Sequence, residues 1–293
     1  MTRKVSRAGK VLFPADGITK ADLAGYYAAV AKVMLPHVRG RPIMMQRYPE
    51  GIGGEPIIQQ RAPDYFPPWI KRARVTKRAG GTVTHALINN RDTLVFLADQ
   101  ACITPHVWLS RADRLERPDQ LIFDLDPPAG KFALAREAAL AVREVLEELG
   151  LAAFVKTTGG KGLHVQVPID RRTDFDEVRE FARDVAGIVT RRSPRRFTTE
   201  QRKPKRRGRL YLDVMRNAYG QTAVAPYAVR ARRGAPVATP LAWEELDERR
   251  LAPGRFTLKT VPQRLQQRGD PWRGLARAAR SLVAARRRLA NVA

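Results

Sequence analysis

The stretch QLIFDLDPP, residues 120–128, restricts what this chain can become more than any other. It reads as an apolar strand with two carboxylates, Asp124 and Asp126, at its end. Residues two apart in a strand face the same side, so these two lie about 7 Å apart at the backbone and their carboxylates can converge on one point. Their mutual repulsion must be offset, and a divalent cation would do it. Hard cations such as Mg²⁺ and Mn²⁺ take carboxylate oxygen, commonly one or two protein carboxylates together with substrate phosphates. Two such ions about 3.5–4 Å apart stabilise the attacking and the leaving oxygen of a phosphoryl displacement, and holding both requires a third carboxylate. Asp213, in the second apolar strand LYLDVMRN and flanked by Arg209, Arg216 and Asn217, is the candidate. Other readings stay open on these residues alone. An Asp before Pro often starts a turn, and Asp-x-Asp also occurs in sugar-nucleotide transferases and phosphatases, although the phosphatase pattern wants Thr where Pro128 stands.

The stretch TTGGKGLH, residues 157–164, supplies the complement. A glycine-rich turn can aim backbone N–H groups at an anion, Lys161 adds a point charge, and His164 follows where it can bond a phosphate oxygen. The spacing is not that of a Walker A loop. A Gly-Gly turn between strands is by itself ordinary hairpin chemistry. Its occurrence with Asp124 and Asp126 in one half of the chain favours a triphosphate cradle.

The chain carries 54 Lys and Arg against 29 Asp and Glu, a net charge of +25, and the economical partner for that excess is a polyanion, above all nucleic acid. Base composition of the genome can inflate Arg without any ligand. The basic residues are unevenly spread, however, with runs in RRSPRRF, QRKPKRRGR and ARAARSLVAARRRLA (276–290) that read as contact surfaces. The last, with Leu275, Leu282, Val283 and Leu289, is expected to form one terminal helix. A single cysteine, Cys102, excludes an internal disulfide and reads as a small buried hydrophobe, which fits a reduced compartment. The N-terminus has no apolar leader core, and no run reaches the roughly 20 apolar residues of a membrane span. The expectation is a soluble cytoplasmic, nucleoid-associated protein with no membrane partner.

Local patterns give a coarse order of elements. ITKADLAGYYAAVAKVMLPHV predicts a helix capped by Thr19 with Asp22 at its third position. RPIMMQRYPEG and EPIIQQR predict strands, RVTKRAGGTVTHALI a hairpin turning at Gly80 and Gly81, and RDTLVFLADQACIT a helix. After a boundary near 110–120 come the strand of Asp124, a long helix closed by Gly150, two strands around the glycine turn, the helix DFDEVREFARDVAGIVTRR, and the strand of Asp213. Strand, helix, hairpin, helix and strand suit an α+β catalytic half with polar residues at strand ends.

Together, FDLDPP, TTGGKGLHV and YLDVMRNAYGQTAVAPYAVRAR resemble the polymerase domain of bacterial ATP-dependent DNA ligase D, a branch of the archaeo-eukaryotic primase superfamily. The likeness runs from KVLFPADGITKADLAGYYAAVAKVMLPHVRGRP through ATPLAWEEL. It implies a primase-like α+β fold, two sheets with flanking helices around a central active-site cleft. It also implies one primase-polymerase domain over 1–293, with an N-terminal α/β subdomain about 1–115 and a catalytic RRM-like subdomain about 116–293. No ligase or nuclease domain fits in this length, so the expectation is a free-standing form.

By this resemblance Asp124, Asp126 and Asp213 are metal-binding catalytic carboxylates for two Mn²⁺ or Mg²⁺ ions. Thr158, Gly160, Lys161, His164 and Arg230 hold the phosphates of an incoming NTP or dNTP, and His106 and Asn217 line the nucleotide pocket. Thr158 stands where Ser is usual, and Thr104 where a Glu commonly precedes the His. Lys10 and Lys20, ten residues apart, resemble a pair that reads a downstream 5′-phosphate at a gap. Arg47, Ile57, Ile58, Lys203 and Arg206 are assigned to DNA; relatives carry two adjacent aromatics where Ile57 and Ile58 stand, so weaker template stacking is expected. The implied activity is template-directed extension of a primer 3′-hydroxyl at gaps or double-strand breaks, with ribonucleotides preferred and Ku and an ATP-dependent ligase as partners. The alternatives are a primase that starts chains de novo and a non-catalytic nucleic-acid binding module with a structural metal.

Overall fold

The computed structural model describes residues 4–289 and 292. The first three residues of the N-terminal stretch and residue 290 of the last basic run lie outside the described residues. The chain divides into two compact units.

The first unit holds residues 1–113, 222–239 and 256–270. In chain order it begins with β1 (Val11–Phe13), β2 (Ile18–Thr19), α1 (Lys20–Val38), β3 (Ile43–Arg47), β4 (Ile57–Gln59), β5 (Arg72–Thr76), β6 (Thr82–Ala86), α2 (Arg91–Asp99) and β7 (Cys102–Trp108). The predicted capping box starts α1: the Thr19 hydroxyl accepts from the Asp22 N–H while Asp22 accepts from the Thr19 N–H at 2.8 Å. Two buried phenols tie α1 into the unit, Tyr27 donating to the carbonyl of Ile103 at 2.7 Å and Tyr26 to that of Tyr227 at 2.8 Å. β5 and β6 form the expected hairpin, with Gly80 and Gly81 at positive φ. The helix expected across residues 91–104 is shorter. Ala101 at φ +55 ends it, and Cys102 to Trp108, wholly buried, form a strand. Pro105 hid that strand, because proline inside an apolar run argues against a central strand.

The second unit holds residues 114–221, 240–255 and 271–293. Its elements are β8 (Gln120–Asp126), α3 (Phe132–Glu148), β9 (Phe154–Thr157), β10 (Leu163–Pro168), α4 (Phe175–Arg192), β11 (Phe197–Thr198) and β12 (Leu210–Asp213). Downstream, β13 (Thr222–Val224) pairs with β7 in the first unit, β14 (Pro240–Leu241) with β9 in the second, α5 (Val261–Arg268) belongs to the first unit, and α6 (Leu282–Leu289) to the second. The sheets run β13-β7-β3-β4 in the first unit and β11-β12-β8-β10-β9-β14 in the second. Alternation sorts β8 and β10 into an apolar face of Leu121, Phe123, Leu125, Leu163, Val165 and Val167, all fully buried, and a second face bearing Asp124 and His164. The terminal run is not one helix. A short 3₁₀ turn, Leu275–Ala278, precedes α6, because Ala279 is extended and the Ser281 hydroxyl accepts from the Val283 N–H to start a new helix. Val283, expected on its apolar face, is half exposed. Among the described residues no helix is long and apolar enough to cross a membrane.

Candidate active site

Antiparallel pairing in the second unit sets one row of side chains across four strands. Lys156 of β9 lies opposite His164 of β10, His164 opposite Asp124 of β8, and Asp124 opposite Asp213 of β12. Directly opposed residues share a face, so a cation, an imidazole and two carboxylates stand in line. Asp126 begins the next row, opposite Tyr211. Asp124, Asp126 and Asp213 each offer an oxygen, and these lie within 4.8 Å of one another. Three hard donors at that spacing fit a divalent cation of the Mg²⁺ or Mn²⁺ type.

The surroundings make the three carboxylates unequal. Burial raises the Asp124 carboxyl, but His164, Arg216 and Lys156 outweigh it and hold the group at about 2. His164 Nε2 lies 3.4 Å from Asp124 Oδ1, and Arg216 Nε 3.4 Å from Oδ2. Burial, then the neighbouring Lys156, pushes the imidazole down to about 4, against the pull of Asp124. The ring is therefore neutral at neutral pH, and the cations nearest Asp124 are Arg216 and Lys156. Asp126 is pushed the other way, up to about 6, by burial and then by Asp124 and Asp213, with Arg206 and Arg216 opposing. A bound cation would relieve that strain. Nδ1 of His164 is buried with no hydrogen-bond partner among the described residues.

The glycine turn between β9 and β10 is already folded. Thr158 Oγ1 donates to the Gly162 carbonyl at 3.1 Å and accepts from the N–H groups of Gly160 and Gly162. A Cβ on Gly162 would overlap the carbonyl oxygen of Leu125, so only glycine lets β10 approach the end of β8 this closely. Lys161 at the tip is exposed. The basic loop 201–209 bends back by its own bonds: Arg206 donates to the carbonyls of Glu200 and Gln201, and its guanidinium lies 4.1 Å above the Tyr211 ring. Tyr211 in turn hydrogen-bonds Asp213, and Lys203 is exposed.

Asn217, expected in the nucleotide pocket, is completely buried and fully engaged. Its Oδ1 accepts from the Ile122 N–H at 2.8 Å, and Nδ2 donates to the carbonyls of Ile122 and Val214 at 2.8 and 2.9 Å. It continues the ladder on β8 beyond the end of β12 and braces the strand of Asp124.

In the first unit His106 is buried on β7, opposite Met44 and Val224, and Arg230 is half-buried, its N–H bonded to the Pro236 carbonyl. Lys10 pairs with Glu50 at 2.9 Å. Lys20 is buried, with Nζ 3.0 Å from the Asp99 carboxylate and bonded to the Asp99 carbonyl and Ser6 hydroxyl. Arg47 donates to the Gln59 side chain and the Gln100 carbonyl, while Ile57 and Ile58 are exposed on β4. The pattern-based reading missed Lys156 and Tyr211. A lone Lys inside the apolar strand AAFVKTT, two residues before Thr158, was a signal for the first; nothing local marks the second.

A model of the LigD primase-polymerase domain family matches residues 19–272. The multifunctional non-homologous end joining protein LigD of Pseudomonas aeruginosa is 36% identical over 288 residues, which cover 97% of this chain and 34% of that protein. The corresponding protein of Mycobacterium tuberculosis H37Rv is 35% identical over 275 residues, 91% of this chain and 36% of the relative. The bifunctional Bacillus subtilis LigD is 31% identical, covering 90% and 42%. This chain thus spans between a third and under half the length of these curated relatives. Among solved structures, the polymerase domain of Mycobacterium tuberculosis ligase D in complex with DNA superposes with a TM-score of 0.89 at 34% identity, over 95% of this chain and 99% of that one. Fold and site together define an enzyme of the polymerase type, with a primase-like α+β fold. The chain belongs to the LigD primase-polymerase domain family.

Proposed function

We propose that this chain is a template-directed nucleotidyltransferase that extends a primer 3′-hydroxyl at gaps or double-strand breaks, with ribonucleotides preferred. The observation that carries the reading is the convergence of Asp124, Asp126 and Asp213 beside the Thr158–Gly162 turn. Asp124, Asp126 and Asp213 would hold two Mn²⁺ or Mg²⁺ ions. When bound, the ions lower the pKa of the attacking hydroxyl and neutralise the triphosphate. Arg216 and Lys156 keep Asp124 ionised; Thr158 fixes the turn that carries Gly160 and Lys161 to the phosphates, joined by His164 and Arg230. Asn217 steadies β8 from behind, and His106 serves the nucleotide. Lys10 and Lys20 would read a downstream 5′-phosphate, and Lys203, Arg206 and Arg47 the DNA backbone. The likeness to non-homologous end joining proteins and to a polymerase domain in complex with DNA supports a role in end joining. Ku and an ATP-dependent ligase as partners, and the cytoplasm at the nucleoid as its place, belong to that proposed role.

Labelled ATP with Mn²⁺ and either a gapped duplex or a bare single strand tests this. Extension of the gapped substrate alone is expected. Product on the bare strand would make the protein a primase, and no product on either would leave a binding module.

The raised Asp126 gives a second expectation. A cation needs its ionised form, so Mn²⁺ affinity should rise about tenfold per pH unit below about 6 and level off above about 7. Asp124 and His164 titrate below that window, at about 2 and about 4, and leave the curve to Asp126. Mn²⁺ titrations in the absence of nucleotide, from pH 5 to pH 8, check it; a flat profile would contradict the assignment.

A further inference from the structure

Among the described residues the large apolar side chains left in water are Val11, Ile57, Ile58, Tyr65, Trp69, Leu140 and Val283, and four of these seven fall in the short segment 57–69. Two of the four are rings held in place from beneath. Tyr65 is 62% exposed and packs edge-on against Phe66 at 5.4 Å; Trp69, 38% exposed, packs edge-on against Phe96 at 6.0 Å. Phe66 and Phe96 are buried and stack edge-to-face at 4.9 Å. The Tyr65 hydroxyl bonds Gln100 at 3.1 Å, whose carbonyl also accepts from Arg47. Such rings lose little freedom on meeting a flat partner.

Beside them lies a cavity of about 520 Å³ lined by Arg61, Asp64, Arg72, Lys77, Thr82 and Thr84. Its walls are the loop before Tyr65 and the β5–β6 hairpin, joined by the bond from the Ala62 N–H to the Thr84 carbonyl and from Arg72 to the Phe66 carbonyl, both 2.7 Å. Three cations face one carboxylate, and Asp64 is itself paired with Arg61 at 3.1 Å. Cations with hydroxyls suit phosphates, and exposed rings next to them suit bases that are not paired.

We propose that loop 60–70 and the hairpin it rests on form a stacking groove for unpaired DNA, in which Arg61, Arg72 and Lys77 hold backbone phosphates and Tyr65 and Trp69 each receive a base. The rings would thus supply stacking from the loop after β4. Binding in the groove stands on these residues alone; that the bound strand is a template rests on the polymerase reading.

Fluorescence anisotropy of the full chain with a labelled oligothymidylate and an abasic strand of equal length tests it. Wild type should prefer the strand with bases. Tyr65→Ala with Trp69→Ala should weaken that strand about tenfold or more per ring and erase the preference, with the salt slope unchanged. Arg61→Ala with Lys77→Ala, which leaves the Arg72 brace in place, should keep the preference and lower the slope of log affinity against log salt by about 1.4. Tyr65→Phe, which keeps the ring, should bind like wild type and controls for folding. A ring variant that still prefers bases, or one that loses both strands equally, would overturn the proposal. So would a concentration-dependent dimer in sedimentation that the ring variant abolishes, since the patch would then belong to a second copy. Should the groove fail, Mn²⁺-dependent extension of a gapped primer by wild type is unaffected; should the polymerase reading fail, the preference for bases remains.

Discussion

Asp213→Ala is expected to reduce primer extension at saturating nucleotide by roughly a thousandfold or more, since a ligand carboxylate supports several kcal/mol of transition-state charge stabilisation and about 1.4 kcal/mol is tenfold in rate. DNA affinity should change little. The fold should survive, because Asp213 is only half-buried, at the end of β12, where its carboxylate accepts from the Met215 N–H at 2.7 Å. A second consequence follows from charge. Asp213 is one of the two carboxylates that raise Asp126, so its removal should move the titration of Asp126 to lower pH. The pH dependence of the residual Mn²⁺ binding should therefore shift downward while its maximum falls. Single-turnover extension, Mn²⁺ titration and a melting curve on the same variant separate chemistry from folding. Extension at the wild-type rate would remove the basis for the two-metal reading.

The largest loss of stability is expected at Asn217. Alanine there would strand the N–H and carbonyl of Ile122 in a fully buried place, while the Val214 carbonyl would keep the main-chain N–H of residue 217 at 3.1 Å. An unsatisfied buried polar group costs about 1–3 kcal/mol, so two together predict a loss of about 2–5 kcal/mol with partial relaxation. For a chain of this size that is a fall in Tm on the order of 10 °C. Thermal melts and urea titrations would measure it. In the folded fraction the KM for nucleotide should stay near wild type, because the side chain is turned to the backbone. A raised KM with unchanged stability would return Asn217 to the nucleotide pocket.

The two effects divide along a line visible in the sequence. Asp213 was found by its type and its place in an apolar strand, and Asp124 with Asp126 by the two-residue period of a strand. Asn217 was also singled out, for the nucleotide pocket; in the structure its amide bonds the backbone of Ile122 and Val214, because whether an amide meets a ligand or its own backbone depends on what stops beside it. Here β12 ends at Asp213, opposite Asp124 and two pairs short of Ile122, and the Asn217 side chain fills the missing rung.

What the chain determines locally is carried by interactions within a few residues: the Thr19–Asp22 capping box, the Gly80–Gly81 turn, the glycine bend after β9, the shared face of Asp124 and Asp126. Propensity and period act at that range, so they can be read without a partner strand. The register of long-range pairing was decided only by the tertiary structure. That register sets Asp213 against Asp124, lines Lys156 and His164 up behind them, and makes Asp126 the carboxylate that resists ionisation. It also made Cys102–Trp108 a strand despite Pro105, since pairing with β3 and β13 outweighs one lost donor. Which strands meet, and at what offset, depends on burying both faces of a sheet at once, and no local stretch of the sequence holds that information.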